Sequence, residues 1–144
     1  VYIVPTKSLG EGYSALALYD STDSLENTLS TFEKQEDSVK TIEVTRSVRN
    51  AYLNGIDVHK DDYIAISGKT MLASNKNYTK TVIDSLSKAL ESSDISIITV
   101  FMGLDTKEED EEIIANFVNE NYQDVEVYFL YTNQEIYNFI IVLE

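Results

Sequence analysis

The run Ile95-Ser96-Ile97-Ile98-Thr99-Val100-Phe101 limits the fold more than any other part of this chain. It is nearly continuous in apolar and β-branched residues, and it is far shorter than the roughly 18 residues that cross a bilayer. Such a run marks a strand buried on both faces of a central parallel sheet. Met102-Gly103-Leu104 leads out of it into Asp105-Thr106-Lys107-Glu108-Glu109-Asp110-Glu111-Glu112. Asp105 or Thr106 is placed to cap a helix there, and the acids crowd its first turns, where the helix dipole favours negative charge. Ile113, Ile114, Phe117 and Val118 give that helix a buried face. Val125 to Tyr131 is a strand, with Val125, Val127 and Phe129 on one parity and Asp124, Glu126 and Tyr128 on the other. Residues 95–131 therefore read as a β-α-β unit that crosses over right-handed. Tyr137 to Leu143 is a last strand. Thr132-Asn133-Gln134-Glu135 is too short to hold a crossover helix, so this strand is expected to pair antiparallel.

Upstream the pattern is mixed. Val1 to Val4 reads as a buried strand, ended by Pro5, which cannot donate to a ladder. Leu9, Tyr13, Leu16 and Ala17 recur at helical spacing and predict a first helix to about Tyr19. Gly10 and Gly12 near its start each weaken it by about 1 kcal/mol against alanine. They also remove side chains where another backbone could come close. Asp23-Ser24-Leu25-Glu26 is a capping-box pattern with Asp23 as N-cap, and Leu25, Leu29 and Phe32 follow as one stripe. A third helix over about 75–91 carries Thr79, Val82, Ile83, Leu86 and Leu90. The chain opens on Val1 without an initiator methionine or basic leader, which suggests a fragment of a longer protein ending at a natural C-terminus.

The stretch from Val39 to Ser74 is the least ordinary. It holds Arg46 and Arg49, the only two arginines in a chain of net charge −14, and the only histidine, His59. Ile42, Val44 and Val48 alternate with Thr41, Glu43 and Thr45, so Thr41 to Val48 reads as a half-buried strand. If it stays regular, Arg46 and Arg49 face opposite ways; a bulge near Ser47 would change this. Asn54-Gly55 supplies the positive backbone dihedrals of a type I′ turn. Ile56 and Val58 restart a short strand, Lys60-Asp61-Asp62 is a tight turn, and Tyr63–Ile66 and Thr70–Ala73 are strands joined at Ser67-Gly68-Lys69. The region is a small β-meander over about 39–74. The fold class is thus a single α/β domain over 1–144, a mixed, mostly parallel sheet with helices packed on it.

Charge excludes several functions. Residues 1–90 carry 10 Lys or Arg against 12 Asp or Glu, while residues 91–144 carry Lys107 against 13 acids. Such a surface repels nucleic-acid phosphates and anionic membranes. Cysteine is absent, so disulfides and thiolate-bound metals are out, which fits a reducing cytoplasm. Gly68-Lys69-Thr70 resembles the tail of a P-loop, but position 63 is tyrosine where that motif needs glycine. Gly10-x-Gly12-x-x-Ala15 loosely matches a dinucleotide fingerprint, but a helix occupies the interval where the second strand should lie. A lone histidine beside Lys60, Asp61 and Asp62 cannot build a zinc site, and a general base would need a positioned partner and a pocket. The acids at 105–112 lack the spacing of a calcium loop. No catalytic, cofactor-binding or metal site emerges. Ten tyrosines against five phenylalanines suit protein contacts.

Val39-x-x-Ile42-x-Val44-Thr45-x-x-Val48-Arg49, then Asn54-Gly55, then Lys60-x-Asp62-Tyr63-Ile64-x-Ile66-x-Gly68-Lys69 resembles the C-terminal domain of FakA, the ATP-binding subunit of bacterial fatty acid kinase. Val4-Pro5-Thr6-Lys7-Ser8 with Gly12 and Ala15-Leu16, the turn at Gly103, and the closing Tyr137 to Glu144 extend the likeness along the chain. The resemblance implies upstream domains, including a DhaL-type kinase domain binding ATP and magnesium, and no cofactor in this one. It implies a separate FakB protein that carries the fatty acid and presents its carboxylate, the acyl phosphate then entering phospholipid synthesis. This chain would be a non-catalytic docking domain for FakB, with Arg49 and Arg46 as expected contact residues, since arginine is enriched in interface hot spots. A small-molecule or acyl-binding enzyme domain, resting on the Gly10–Gly12 helix start, and a dimerising structural domain are the other readings.

Overall fold

The computed structural model describes the backbone of residues 1–144 and the side chains of all except Glu36. In chain order the elements are helices α1 (Leu9–Ala17) and α2 (Leu25–Glu36), then strands β1 (Lys40–Arg46), β2 (Ala51–Leu53), β3 (Ile56–Val58), β4 (Tyr63–Ser67) and β5 (Thr70–Asn75). Helix α3 (Tyr78–Leu90), strand β6 (Ile97–Met102), helix α4 (Glu108–Asn121) and strands β7 (Glu126–Tyr131) and β8 (Tyr137–Leu143) complete the chain. Six strands form one sheet in the order β5-β4-β1-β8-β6-β7, and β2 and β3 form a separate two-stranded ribbon.

The expected single α/β domain with a mixed sheet is what forms, but its balance is antiparallel. Only β6 and β7 run parallel, joined through α4; β4/β5, β1/β4, β1/β8 and β6/β8 are antiparallel. Connection length decides this. Two connections, β5-α3-β6 and β6-α4-β7, hold a helix that returns the chain to the same end, but only the second joins neighbouring strands, because β4, β1 and β8 lie between β5 and β6. Gly68 (φ 60°) turns β4 back onto β5 within two residues. The short 132–136 connection brings β8 back antiparallel between β1 and β6, as its length dictates. The meander is interrupted: β1 pairs with β4, and the ribbon between them leaves the sheet.

Parity sorts the core. Ile42, Val44, Ile98, Val100, Met102, Phe139, Ile141 and Leu143 point to one face, where Val82 and Leu86 of α3 and Ile114 and Val118 of α4 cover them. Val39, Phe101, Ile140 and Val142 form a smaller cluster on the other face. There α1 lies so close to the sheet that a Cβ on Gly10 would overlap Thr41 Oγ1. Hence Gly10 and Ser14 are the residues α1 buries. The apolar stripe expected to face the core does the reverse: Leu16 is 78% exposed and Leu9 51%. A helix pressed this near a strand can only present its small side. Tyr13 still meets Phe101 edge-on.

Two further expectations shift. Val1 to Val4 pairs with no strand among the described residues, and Val1, Tyr2 and Ile3 lie exposed. The caps move by a residue or two, at α2 because the Ser24 hydroxyl reaches the free N–H groups and at α4 because Asp110 reaches back to the Lys107 N–H. Ser24 rather than Asp23 accepts from Asn27 N–H, and the α4 N-cap is Lys107.

Candidate docking surface

The ribbon β2–β3 is an arm outside the six-stranded sheet that lies against β5. Its tip is the Asn54-Gly55 turn, whose φ values of 53° and 78° are those of a type I′ hairpin. Its root is clamped. Ser47 N–H donates to the Asp62 carbonyl (2.7 Å), Asp61 N–H to the Ser47 carbonyl (2.8 Å) and Lys60 N–H to Asn50 Oδ1 (2.7 Å). Asn54 Oδ1 accepts from Met71 N–H (2.9 Å), tying the tip to the edge strand β5. Val58 is buried, so β3 faces the domain while all of β2 is exposed. Tyr52 pairs across the ribbon with Asp57 and is 71% exposed; Val48 is 84% exposed.

The two arginines flank the root of this arm. Strand β1 ends at Arg46, so regular parity never reaches Arg49, which sits in the turn that follows. Arg46 is committed within the domain: Nη2 lies 3.3 Å from Asp61 Oδ1 and Nε donates to the Asp61 carbonyl at 3.4 Å. Both partners are well exposed, which makes this a weak surface pair. The Arg49 carbonyl accepts from Ser47 Oγ (2.8 Å), and its guanidinium has no partner among the described residues.

Arg46 also borders a crevice of about 140 Å³ with Tyr63, Leu104, Asp105, Gln134, Glu135 and Tyr137, at the carboxyl ends of β6 and β7. In open α/β sheets ligands gather at such ends. Here the one cation is held by Asp61, and Asp105 and Glu135 stand on the rim, so the crevice has no surplus charge for an anion. A second groove, about 250 Å³, runs between residues 2–6, α1 and α2. Its lining is apolar (Ile3, Ala15, Leu29, Phe32), with Glu11 and Glu33 beside it.

Other residues singled out by the sequence are employed structurally. His59 is 75% exposed, its N–H donating to Asp62 Oδ2 (3.0 Å) and its Nδ1 lying 3.3 Å from the same oxygen. Gly68-Lys69 is the tip of the β4–β5 hairpin. The acidic run is not uniformly solvated. Asp110 is buried and accepts from Tyr78 OH, Thr79 Oγ1 (3.0 Å) and Lys107 N–H (2.8 Å), locking the starts of α3 and α4 together. Burial, then the Asp110 carboxylate, push the Tyr78 phenol well above the usual tyrosine range. Tyr131 donates to Glu111, and that bond raises its phenol to about 12. No signal in the run separates Asp110 from its neighbours; only the register of α4 against α3 does. Among the described residues no group of three or more His, Asp and Glu could hold a metal ion, and no helix is long and apolar enough to cross a membrane.

Charge is polarised across this architecture. Residues 40–90, which build β1–β5, the arm and α3, carry eight Lys or Arg against five Asp or Glu. The acidic excess sits with α1, α2, α4 and the β6–β7 edge.

Known proteins share this fold and sequence. A fatty acid kinase (Fak) B3 protein of Streptococcus pneumoniae, solved loaded with linoleic acid, superposes with a TM-score of 0.61 at 12% identity, over 93% of this chain and 54% of that one. A DegV family protein of Thermus thermophilus, described as fatty acid binding, gives 0.53 at 12% identity, over 95% and 57%. At these identities the likeness is one of fold. In sequence, an uncharacterised Staphylococcus aureus protein is 30% identical over 142 residues and Bacillus subtilis YloV 28% over 144. The chain spans 26% of the length of each. The family model describing the C-terminal domain of FakA-like fatty acid kinase proteins matches residues 1–144, and the chain belongs to that family.

Proposed function

We propose that this domain is the docking module of a fatty acid kinase, holding a FakB-like fatty-acid-carrying protein. The acyl carboxylate would be phosphorylated by an ATP- and magnesium-binding domain elsewhere in the full-length protein. The family match over all 144 residues is the observation that carries this reading. The chemistry of the domain agrees with it. His59 and Asp110 each have a structural partner, and Gly68-Lys69 is a hairpin tip, although Gly68 also borders an open groove with Ser8, Lys40 and Thr41. The domain itself then needs no catalytic residue, and the reaction belongs to the cytoplasm, feeding acyl phosphate to phospholipid synthesis. Of the two arginines Arg49 is the better contact, because Arg46 is already engaged with Asp61.

Isothermal calorimetry between the full-length protein and the FakB-like protein of the same organism tests the reading. A complex is expected in the micromolar range; no heat at tens of micromolar overturns it. The rival reading, an acyl-binding domain, has the apolar groove beside α1 and α2 in its favour. Its carboxylates, Glu11 and Glu33, would repel a fatty acid head group. A fatty acid copurifying with the protein in the absence of any FakB-like partner would favour that rival.

A further inference from the structure

We infer that the β2–β3 arm is the docking element, and that it takes an apolar depression rimmed by acidic residues on the FakB-like partner, with Tyr52 as the anchor and Arg49 as the steering charge. This rests on the docking function proposed above and assigns it a surface and a partner chemistry.

Three observations converge on the arm. First, it is rigid before any partner arrives: four hydrogen bonds at root and tip, a type I′ turn and the buried Val58 fix it against β5. A preformed element loses little entropy on association. Second, it exposes side chains that the domain does not use. Tyr52 stands on the outward face opposite Asp57, and the Arg49 guanidinium has no partner among the described residues. Tyrosine and arginine are among the residue types most enriched at interface hot spots. Third, charge selects the partner surface. Over residues 46–62, Arg46, Arg49 and Lys60 balance Asp57, Asp61 and Asp62, but Arg46 is paired with Asp61 and Asp62 is buried. Arg49 and Lys60 are thus the exposed cations left over, and residues 40–90 from which they project are net positive. The opposite edge, around β7 and α4, is strongly acidic and would turn away an acidic patch. The exposed Tyr128 on that edge is therefore a matched control, similar in type and 51% exposed but in the wrong field.

The test is calorimetry of the full-length protein with the FakB-like protein of the same organism, for the unaltered chain and for Tyr52→Ala, Arg49→Glu, Arg49→Lys and Tyr128→Ala. Circular dichroism checks that each is folded. Tyr52→Ala is expected to weaken binding about tenfold or more. Arg49→Glu is expected to weaken it comparably at low salt, with the loss shrinking at about 0.5 M NaCl as screening sets in, while Arg49→Lys keeps most of the affinity. Tyr128→Ala should bind as the unaltered chain does. If the unaltered chain binds and Tyr52→Ala binds equally well, the arm is not the docking element although the docking function stands. If the unaltered chain fails to bind, the docking function falls and the arm with it.

Discussion

The two faces of the six-stranded sheet are built on opposite terms. On one, α3 and α4 interlock with alternate residues of β1, β6 and β8, and Val82, Leu86, Ile114 and Val118 are fully buried. On the other, α1 touches the sheet through Gly10 and Ser14, while Leu9, Leu16 and much of α2 stay in solvent. One face is held by side-chain volume, the other by closeness of backbones. A sheet buried on both sides can therefore have a thick core on one side and a nearly flush contact on the other. Stability should reside in the first, and freedom to change sequence without unfolding in the second.

The sharpest way to break this contrast is to remove volume from each face in turn. Leu86→Ala empties a fully buried site and is expected to cost about 2–5 kcal/mol, whereas Leu16→Ala should fall within about 0.5 kcal/mol of the parent. Urea midpoints compare the two directly, and equal losses would erase the distinction between the faces. Adding volume probes the flush side. Alanine at position 10 favours a helix by about 1 kcal/mol, but its Cβ would collide with Thr41 Oγ1. Overpacking of this sort costs about 1–3 kcal/mol, so Gly10→Ala is expected to destabilise by roughly 1 kcal/mol net. A rise in stability would mean that α1 simply lifts away. The smallest effect concerns how the thick side is pinned. The Tyr78 phenol is raised in the folded state, so its contribution is present in full below about pH 10, the ordinary tyrosine value, and is lost as pH climbs toward the higher folded value. Stability should fall between about pH 9 and about pH 11 more steeply in the parent than in Tyr78→Phe, read from urea midpoints at the two values.

Period-two and period-3.6 patterns make most elements readable from the residues alone. The doubly buried strand near Ile97–Met102, the antiparallel return of β8 and the Asn54-Gly55 turn each follow from local chemistry. What stays hidden is what depends on distance between elements. Leu9 and Leu16 have the spacing of a buried stripe, yet the approach of α1 to Thr41 and Val142 puts glycine and serine inside instead. The sheet is less parallel than its apolar strands suggest, because β8 inserts antiparallel between β1 and β6 and only one of the two crossover helices joins neighbouring strands. At the docking surface, the arginines stand out as the only two in an acidic chain. Tyr52 does not, since nothing local distinguishes a tyrosine on the outer face of a ribbon from one in a core. Asp110 is indistinguishable from the acids around it until α3 meets α4.

The place of β8 sets a constraint on how the molecule is made. This strand lies between β1 and β6 in the sheet, yet it is the last of the sheet's strands to be synthesised. Until it arrives, β5-β4-β1 and β6-β7 are two half-sheets, each offering an open apolar edge to whatever it meets. Pairings so distant in sequence close slowly, and exposed edges invite association with other chains. Nascent chains stalled before Tyr137 should therefore engage chaperones and aggregate readily. A few residues more would supply the keystone that turns two sticky halves into one closed sheet.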